Sequence, residues 1–311
     1  MHFPIPSESG QEGEQTMEAQ KYPQIQWKKD TAIPMNLVEK NGVPFLTYPA
    51  FEKEEGIIHG FSTRLGGVSK GIWSSMNLSF TRGDRDEDVR ENYRRMASAL
   101  GIDVGQIVCS DQTHTVNVRV VTEEDKGKGL VSPRDYKDVD GLVTCVPGLV
   151  LATFYADCVP LFFIDTKKRA IGLSHSGWRG TVGKIGKVTV EKMQAAFGSR
   201  PEDILAAVGP SICRDCYEVS LDVAGQFAEV FPGAEEFGIL MDKGGGKYLL
   251  DLWKANREVF LEAGILPEHI SMPGICTCCN PQFLFSHRAS GGKRGNLAAF
   301  LGLEKSNRLN A

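Results

Sequence analysis

Three residues with good metal-binding side chains, His114, Cys158 and His175, each lie where an apolar run of strand length gives way to polar residues. Two imidazoles and one thiolate suit zinc, and copper also accepts such ligands. Structural zinc usually has four protein ligands, whereas catalytic zinc keeps three and leaves the fourth position for water or substrate. Because strand ends are rigid and open onto the surface, a metal held there can meet a substrate. The pattern therefore predicts one catalytic zinc on these three residues.

The spacing of these three residues matches no short metal-binding motif, so other interpretations stay open. Taken alone, each histidine is more often a hydrogen-bonded structural residue, and Cys158 is more often a buried thiol. Cys158 could also be a nucleophile with His175 as its base, which would make the protein a Cys-dependent hydrolase. Chelation separates the two roles, because a nucleophilic cysteine keeps its activity when metal is removed.

Three polar neighbours are candidates for catalytic roles. Asp157 could orient an imidazole or hold a substrate hydroxyl. Arg179, together with backbone N–H groups ahead of a predicted helix, would suit an anion such as phosphate. Arg64 lies where a strand runs into a glycine turn and could face a ligand. The alternatives are that Arg179 pairs with a surface carboxylate and that Arg64 is an ordinary turn residue.

Short apolar runs rich in Val, Ile and Phe, bounded by Gly, Pro or Asp, are typical of strands. These runs cover residues 56–62, 117–121, 149–155, 161–165, 170–174 and 204–208. Helical spacing of apolar residues predicts helices over 86–100, 181–197 and 249–263, each followed by a glycine. Strands and helices are mixed without strict alternation, which favours an α+β fold over a doubly wound parallel sheet.

The chain has 311 residues and a formal charge of -4, which argues against a broad nucleic-acid-binding surface. No apolar run approaches the roughly 18 residues that span a bilayer, so we expect no membrane segment. Residues 1–20 are rich in Glu, Gln, Ser and Gly and lack the apolar segment of a secretory signal. We therefore predict a disordered extension over residues 1–32, or a start codon assigned too far upstream, and a single catalytic domain over residues 33–311.

The eight cysteines are expected to be reduced thiols of a cytoplasmic protein, because a chain of this length can build its core without disulfides. Cys213 and Cys216 form a CxxC pair, and Cys276, Cys278 and Cys279 follow later. Four thiolates at such spacings can hold structural zinc, but Cys-x-Cys-Cys is awkward for tetrahedral geometry. The sequence leaves a second metal site open, and this spacing argues against it.

Several short motifs then follow one another in a recognisable order. They are FSTRLGGVS (61–69), MNLSF (76–80), QTH (112–114), VDGLVT (139–144), ADCVP (156–160), HSGWRGT (175–181), GPSIC (209–213), CYEV (216–219) and FSHR (285–288). In these motifs, which extend over most of the chain from about residue 58 to 303, the sequence resembles the bacterial laccase-domain proteins, also called the YfiH-type or polyphenol oxidase family.

The resemblance implies zinc on the histidine of QTH, the cysteine of ADC and the histidine of HSGWRG, which are His114, Cys158 and His175 here. It implies a four-layer α/β/β/α fold of mixed sheets in a single domain, with a small-molecule pocket at the metal. It also implies that purine nucleosides and phosphate are the substrates. The reaction would be phosphorolysis of adenosine, inosine, guanosine and methylthioadenosine, with some adenosine deamination.

Other activities attached to this family are kept as alternatives. Copper-dependent phenol oxidation is one, although a single site with two histidines and one cysteine, and no His-x-His pair, count against a multicopper enzyme. Correction of peptidoglycan precursors by a Cys-dependent hydrolase is another, and a metal-stabilised binding protein without turnover is the non-enzymatic one. The family's last block often ends in Thr-Gly-Arg, whereas this chain has Arg294, Gly295 and Asn296. A role of that final arginine is therefore not carried over, although Arg294 could substitute for it. The oligomeric state is not predicted.

Overall fold

The computed structural model describes residues 21–28 and 35–305, which form fifteen strands and six helices joined by turns and short 3₁₀ segments. The strands are β1 (Asn36–Lys40), β2 (Val43–Thr47), β3 (Ile57–Ser62), β4 (Ile107–Cys109), β5 (Val118–Val120), β6 (Gly141–Thr144), β7 (Val150–Tyr155), β8 (Val159–Asp165), β9 (Ala170–Ser176), β10 (Ile204–Val208), β11 (Glu218–Ser220), β12 (Leu240–Gly244), β13 (Lys247–Leu250), β14 (Ile270–Ser271) and β15 (Leu297–Leu303). The helices are α1 (Asp86–Leu100), α2 (Trp178–Val182), α3 (Ile185–Phe197), α4 (Leu221–Val230), α5 (Leu252–Glu262) and α6 (His287–Ser290).

Two six-stranded sheets form the centre of the fold. The first sheet has the strand order β1-β2-β3-β15-β7-β4, and the second has the order β14-β10-β8-β9-β6-β5. Both are mixed, because β4 runs parallel to β7, β5 to β6 and β10 to β14, while the other neighbours are antiparallel. A smaller antiparallel sheet has the order β11-β13-β12.

The two large sheets pack face to face, with β7 and β15 of the first against β9 of the second. Strand β15 shows how this arrangement determines residue type. Leu297 and Leu301 belong to the core between the sheets, whereas Phe300 belongs to the core under α1. All seven residues of β15 are buried, because both of its faces are covered. Such strands are continuously apolar, as the sequence shows.

Helices cover the outer faces of the two sheets. Helix α1 packs on the first sheet through residues that include Val89 and Met96. Helices α3 and α5 pack on the second sheet, where Val190 and Phe260 are fully buried. The order of layers is therefore α/β/β/α, and the predicted four-layer α+β fold is confirmed.

The predicted helix over residues 86–100 is confirmed with the same bounds, and it ends at Gly101 in the left-handed conformation with φ 73°. The single helix predicted over 181–197 is wrong. It is two helices, α2 and α3, interrupted at Gly183 and Lys184, and Lys184 has φ 55°. Helical spacing of apolar residues does not reveal this break, because both helices bury apolar side chains in the same core.

Residues 21–28, which belong to the predicted N-terminal extension, contact the domain. Lys28 N donates to Gly274 O at 2.7 Å, Trp27 forms a β-bridge with Ile275, and the Lys21 ammonium lies 2.5 Å from a Glu39 carboxylate oxygen. This segment is therefore ordered against the domain, whereas residues 1–20 and 29–32 lie outside the described residues. Among the residues described, no helix has both the length and the apolar character needed to cross a membrane.

Candidate metal centre

His114, Cys158 and His175 come together in the structure. Their donor atoms all lie within 4.8 Å of one another, and the Cys158 Sγ lies 4.0 Å from the His114 Nε2. Two imidazole nitrogens and one thiol sulfur at these separations can converge on a single metal ion. The side chains present fit the metal that the sequence predicted.

Both large sheets contribute to this cluster, which we call the triad. His114 follows β4 of the first sheet, and Cys158 lies in the short connection from β7 of the first sheet to β8 of the second. His175 lies within β9, directly opposite Pro160 of β8. Three ligands that are distant in sequence therefore meet because the two sheets pack together at this end.

Asp140, to which no sequence pattern assigned a role, orients the triad. Its Oδ1 lies 2.8 Å from His175 Nδ1, which leaves the other ring nitrogen of His175 for a metal. The same carboxylate accepts hydrogen bonds from the backbone N–H groups of Thr113, His114 and Thr115. One buried carboxylate thus positions two of the three ligands. The sequence did contain a signal for this role, because Asp140 is the carboxylate of the VDGLVT motif and directly precedes a strand.

The backbone at the triad is shaped to bring the ligands close. His114 has φ 68° and Asp157, which precedes Cys158, has φ 92°, both in the left-handed region that residues with side chains rarely adopt. At Gly177 a Cβ atom would lie 3.0 Å from His114 Cδ2 and 3.1 Å from Cys158 Sγ. The absence of a side chain at Gly177 therefore leaves room for two ligands to approach each other.

The triad residues shift each other's ionisation. Burial opposes ionisation of the Cys158 thiol, but the adjacent His175 and His114 outweigh burial and lower the pKa of Cys158 to about 6. Burial also lowers the pKa of His175, but Cys158 and Asp140 overcome this effect and raise that pKa to about 9. Cys158 is consequently available as a thiolate at neutral pH, which is the form that binds metals.

A cavity of about 620 Å³ opens at the triad, and all three ligands contribute to its lining. This volume lies in the usual range for small-molecule sites. Aromatic side chains that could contact a planar ring also line it, namely Phe80, Phe154 and Tyr155. The triad is therefore accessible to a ligand of nucleoside size.

Arg294 is the most deeply buried arginine in the lining of this cavity, at 8% exposure. Its guanidinium bonds the Asn296 side chain, while its buried Nε has no protein partner. Burial, and then the nearby Arg82, lower the pKa of Arg294 to about 10, so the side chain is still cationic at neutral pH. A buried cation with an unused N–H group is suited to bind an anion.

The three other predicted catalytic residues occupy different places. Asp157 is buried and accepts hydrogen bonds from Thr277 Oγ1 at 2.6 Å and Arg288 N at 2.7 Å, so Asp140, and not Asp157, orients the imidazole. Arg64 donates to two backbone carbonyls and lies over the Phe285 ring.

Arg179 is exposed, with its guanidinium 4.2 Å from the centre of the Trp178 ring. Among the described residues that line the cavity at the triad, Arg64, Asp157 and Arg179 do not appear. Arg294 therefore replaces Arg64 and Arg179 as the candidate anion contact.

The structure also brings together four of the five cysteines that the sequence left unassigned. Cys213, Cys216, Cys276 and Cys279 have sulfur atoms within 4.8 Å of one another. Cys278 does not belong to this group. The objection based on a Cys-x-Cys-Cys arrangement does not apply to this group, because its second pair is Cys276 and Cys279.

Comparisons with known proteins agree with this architecture. The chain is 36% identical over 259 residues to "Purine nucleoside phosphorylase YlmD" of Bacillus subtilis (strain 168), covering 82% of this chain and 91% of that protein. It is 34% identical over 247 residues to "Adenosine deaminase RL5" from an unknown prokaryotic organism, covering 79% of this chain and 94% of that protein. The crystal structure of YlmD from Geobacillus stearothermophilus superposes with a TM-score of 0.80 at 34% identity, over 88% of this chain and all of that chain.

The sequence family described as multi-copper polyphenol oxidoreductase laccase matches residues 58–304, which hold the triad, Asp140, Arg294 and the four grouped cysteines. This match spans most of the chain and agrees with the motifs of the sequence. The protein therefore belongs to this laccase-like, YfiH-type family.

Proposed function

We propose that this protein is a zinc-dependent purine nucleoside phosphorylase. It would convert adenosine, inosine, guanosine or methylthioadenosine and phosphate into the free base and the corresponding ribose 1-phosphate. The observation that supports this proposal most directly is the shared cavity, which combines three metal ligands with a buried, incompletely bonded Arg294. Relatives named as purine nucleoside phosphorylases support the choice of reaction.

Phosphorolysis breaks the bond between the anomeric carbon and the purine nitrogen and forms a bond from that carbon to a phosphate oxygen. Cationic charge develops on the ribose, and the base departs with the bonding electrons and takes up a proton. A catalyst must hold phosphate beside the anomeric carbon and stabilise the departing base. Arg294 is suited to bind phosphate, and Phe80 and Phe154 are suited to contact the base.

His114, Cys158 and His175 would hold the zinc ion. When bound, zinc supplies Lewis-acid polarisation of the substrate or acidifies a water molecule. Asp140 keeps His175 in the tautomer that faces the other two ligands, and its hydrogen bond from His114 N holds the connection after β4. The other residues that line the cavity would orient the nucleoside and the phosphate.

The same site is suited to adenosine deamination, in which water replaces the amino group and releases ammonia. The observation that favours this second activity is the similarity to a protein named adenosine deaminase. Among the described residues, one candidate metal cluster contains histidine. A multicopper oxidase needs several copper centres, so this donor set is better suited to the two nucleoside reactions than to phenol oxidation.

The decisive experiment incubates purified protein of known metal content with inosine and with adenosine, each with and without phosphate. We expect ribose 1-phosphate and free base only when phosphate is present. Inosine and ammonia from adenosine, without any phosphate requirement, would report deamination. Nucleoside binding without either product would contradict both activities and favour a binding protein. Phosphorolysis that survives removal of the metal by a chelator would contradict the zinc requirement.

Two arginine variants test where phosphate binds. Arg294→Gln keeps a hydrogen-bonding side chain but removes the cation, so we expect the KM for phosphate to rise by about 10- to 100-fold, as for loss of a charged hydrogen bond. Arg179→Gln should leave that KM unchanged, because the side chain is exposed and lies over Trp178. The reverse result would show that Arg179, and not Arg294, binds the phosphate.

The cytoplasmic location stays a prediction.

A further inference from the structure

A second group of potential ligands lies outside the cavity at the triad. We call it the four-cysteine cluster, and it consists of Cys213, Cys216, Cys276 and Cys279. Cys213 and Cys276 are buried, while Cys216 and Cys279 are partly buried. Free thiols rarely gather in fours by packing alone, because each is a weak hydrogen-bonding group that gains little from the others.

The sulfur positions fit a tetrahedral metal site. Zinc–sulfur bonds of about 2.3 Å at tetrahedral angles place sulfur atoms about 3.8 Å apart. In the cluster, the Sγ atoms of Cys216 and Cys279 are 3.5 Å apart, and all four donors lie within 4.8 Å of one another. A disulfide needs an S–S distance of about 2.05 Å, so these sulfurs are not arranged as bonded pairs.

The sequence pattern agrees with this geometry once Cys278 is set aside. Cys213-x-x-Cys216 and Cys276-x-x-Cys279 are two CxxC pairs, which is the ligand spacing of structural zinc sites. Each pair lies on a tight turn, with Cys216 N donating to Cys213 O in the first turn and Asn280 N donating to Thr277 O in the second. A parallel β-bridge between Ser211 and Cys276 places the two turns side by side.

Groups around the cluster are suited to a negatively charged metal–thiolate complex. The backbone N–H of Cys213 points at Cys276 Sγ with an N···S distance of 3.2 Å. Four thiolates around a divalent ion carry a net charge of −2, and two cations lie beside the turn of the first pair. Lys28 lies 3.3 Å from the Asp215 carboxylate, and Arg288 donates to the Cys216 carbonyl at 3.1 Å.

We infer that the four-cysteine cluster binds one structural zinc ion. Four thiolate ligands fill the tetrahedral coordination of zinc and leave no position for a substrate. The ion crosslinks the connection from β10 to β11 with the segment that follows β14. This role is independent of the proposed phosphorolysis, which requires only the triad.

The cluster also holds the segment that carries one triad ligand. Thr277, between the two cysteines of the second pair, donates to the Asp157 carboxylate at 2.6 Å, and Ile212 N, just before the first pair, donates to Asp157 O at 3.0 Å. Asp157 immediately precedes Cys158. Zinc in the cluster would therefore steady the connection on which Cys158 lies.

Metal content measured on the full chain is the primary test. Protein purified under reducing conditions and loaded with zinc should contain two zinc ions per chain, and Cys216→Ser should contain one. Cys278→Ser is the matched control, since this neighbouring cysteine lies outside the cluster, and it should keep both ions. His175→Ala should also lose one ion, but the ion lost should be the one at the triad.

Cobalt distinguishes which ion each variant loses. Cobalt bound by four thiolates gives much stronger sulfur-to-metal absorption than cobalt bound by one, so Cys216→Ser should remove most of this absorption. His175→Ala should keep most of it. Equal spectra for the two variants would overturn the assignment of the second site.

Thiol alkylation of the unmutated protein covers the case in which Cys216→Ser fails to fold. With zinc bound, the four cysteines of the cluster should be protected from alkylation, while Cys278 and the exposed Cys145 react. After the zinc is removed by a chelator, the partly buried Cys216 and Cys279 should react at least ten times faster than in the zinc-bound protein. Equal alkylation rates with and without zinc would overturn the proposal. So would a Cys216–Cys279 disulfide in the reduced preparation, or iron in place of zinc after loading with both metals.

Discussion

The triad and the four-cysteine cluster are both candidate metal-binding groups, and they differ in the number of donor atoms and in access to solvent. The triad offers three donors and opens onto a cavity of about 620 Å³. The cluster offers four cysteine sulfur atoms, and among the described residues none of these cysteines lines that cavity. Three ligands beside a cavity leave a coordination position for chemistry, whereas four ligands in packed turns saturate the ion. Donor number and solvent access together separate a catalytic centre from a structural one.

The two sites also differ in the groups that hold their candidate ligands in position. At the triad, Asp140 is a carboxylate that bonds one ligand side chain and the backbone of another. At the cluster, backbone contacts between two turns predominate, such as Thr277 N donating to Ser211 O at 3.2 Å. A charged support adjusts the basicity of a ligand, whereas backbone pairing only fixes position. Changes at the triad should therefore alter activity, and changes at the cluster should alter stability.

The largest effect is expected from His175→Ala. It removes one of three ligands, so we expect kcat/KM for inosine phosphorolysis to fall on the order of 10³-fold in protein that is still folded at the assay temperature. The midpoint of thermal unfolding also falls, because the buried Asp140 carboxylate loses its partner. His287→Ala, at an exposed histidine of α6, is the matched control and should retain full activity. Steady-state kinetics and calorimetry measure the two quantities. If His175→Ala retained its activity, the triad would not be the catalytic centre, and the contrast between a catalytic and a structural site would fail.

Acid stability is expected to show the next largest effect, and it must be separated from metal release. Burial is the main cause that lowers the pKa of His59 to about 4, and neutral His59 Nε2 accepts a hydrogen bond from Tyr48 N at 2.9 Å. The unfolded chain therefore binds a proton that the folded chain does not, so stability falls as the pH drops from about 6.5 to about 4. The loss is about 3 kcal/mol.

His59→Gln should remove most of this pH dependence, because a glutamine oxygen can accept from Tyr48 N without titrating. The free energy of unfolding of the metal-free protein, measured in urea between pH 7 and pH 4, gives this pH dependence. The difference in pH dependence between the zinc-loaded and the metal-free variant then belongs to the metal sites. An unchanged slope in metal-free His59→Gln would show that another group titrates.

A smaller effect is expected from Asp140→Asn. The amide cannot act as a charged acceptor for His175 and for the backbone N–H groups around His114, so zinc affinity at the triad should fall about 10- to 100-fold. Competition with a chelator measures the affinity. Zinc bound by the four-cysteine cluster should be unaffected, and a parallel loss at both sites would mean that the variant disrupts the fold.

The smallest effect is expected from Gly177→Ala. Its φ of −74° suits alanine, so backbone strain is not involved, but the added Cβ would contact His114 and Cys158 at about 3 Å. We expect about a 10-fold loss of zinc affinity at the triad, at the lower end of the range for changes beside a metal ligand. Gly225→Ala, in α4 with no atom within 4 Å, is the control and should raise stability by about 0.5–1 kcal/mol. If Gly177→Ala bound zinc with unchanged affinity, a Cβ atom at this position would not disturb His114 or Cys158.

Local patterns in the sequence predicted one helix with its exact bounds and named the three residues of the triad. Helix α1 was predicted because acidic residues begin it and Gly101 ends it, and both are features of adjacent residues. The triad was predicted because each ligand follows or ends an apolar strand, and strand ends are recognisable from neighbouring residues. Motif order then indicated the family and the four layers.

Only the tertiary structure decided which distant residues meet. Asp140 reaches His175 because β6 pairs with β9, and Arg294 enters the cavity because β15, which begins at Leu297, lies beside β7. Cys216 and Cys279 come within 3.5 Å although 63 positions separate them. Hydrophobic periodicity specifies which face of an element is buried, but the pairing of sheets and turns depends on packing summed over the whole core. That physical difference explains why the three triad residues could be named from the sequence, while Asp140, Arg294 and the grouping of the four cysteines could not.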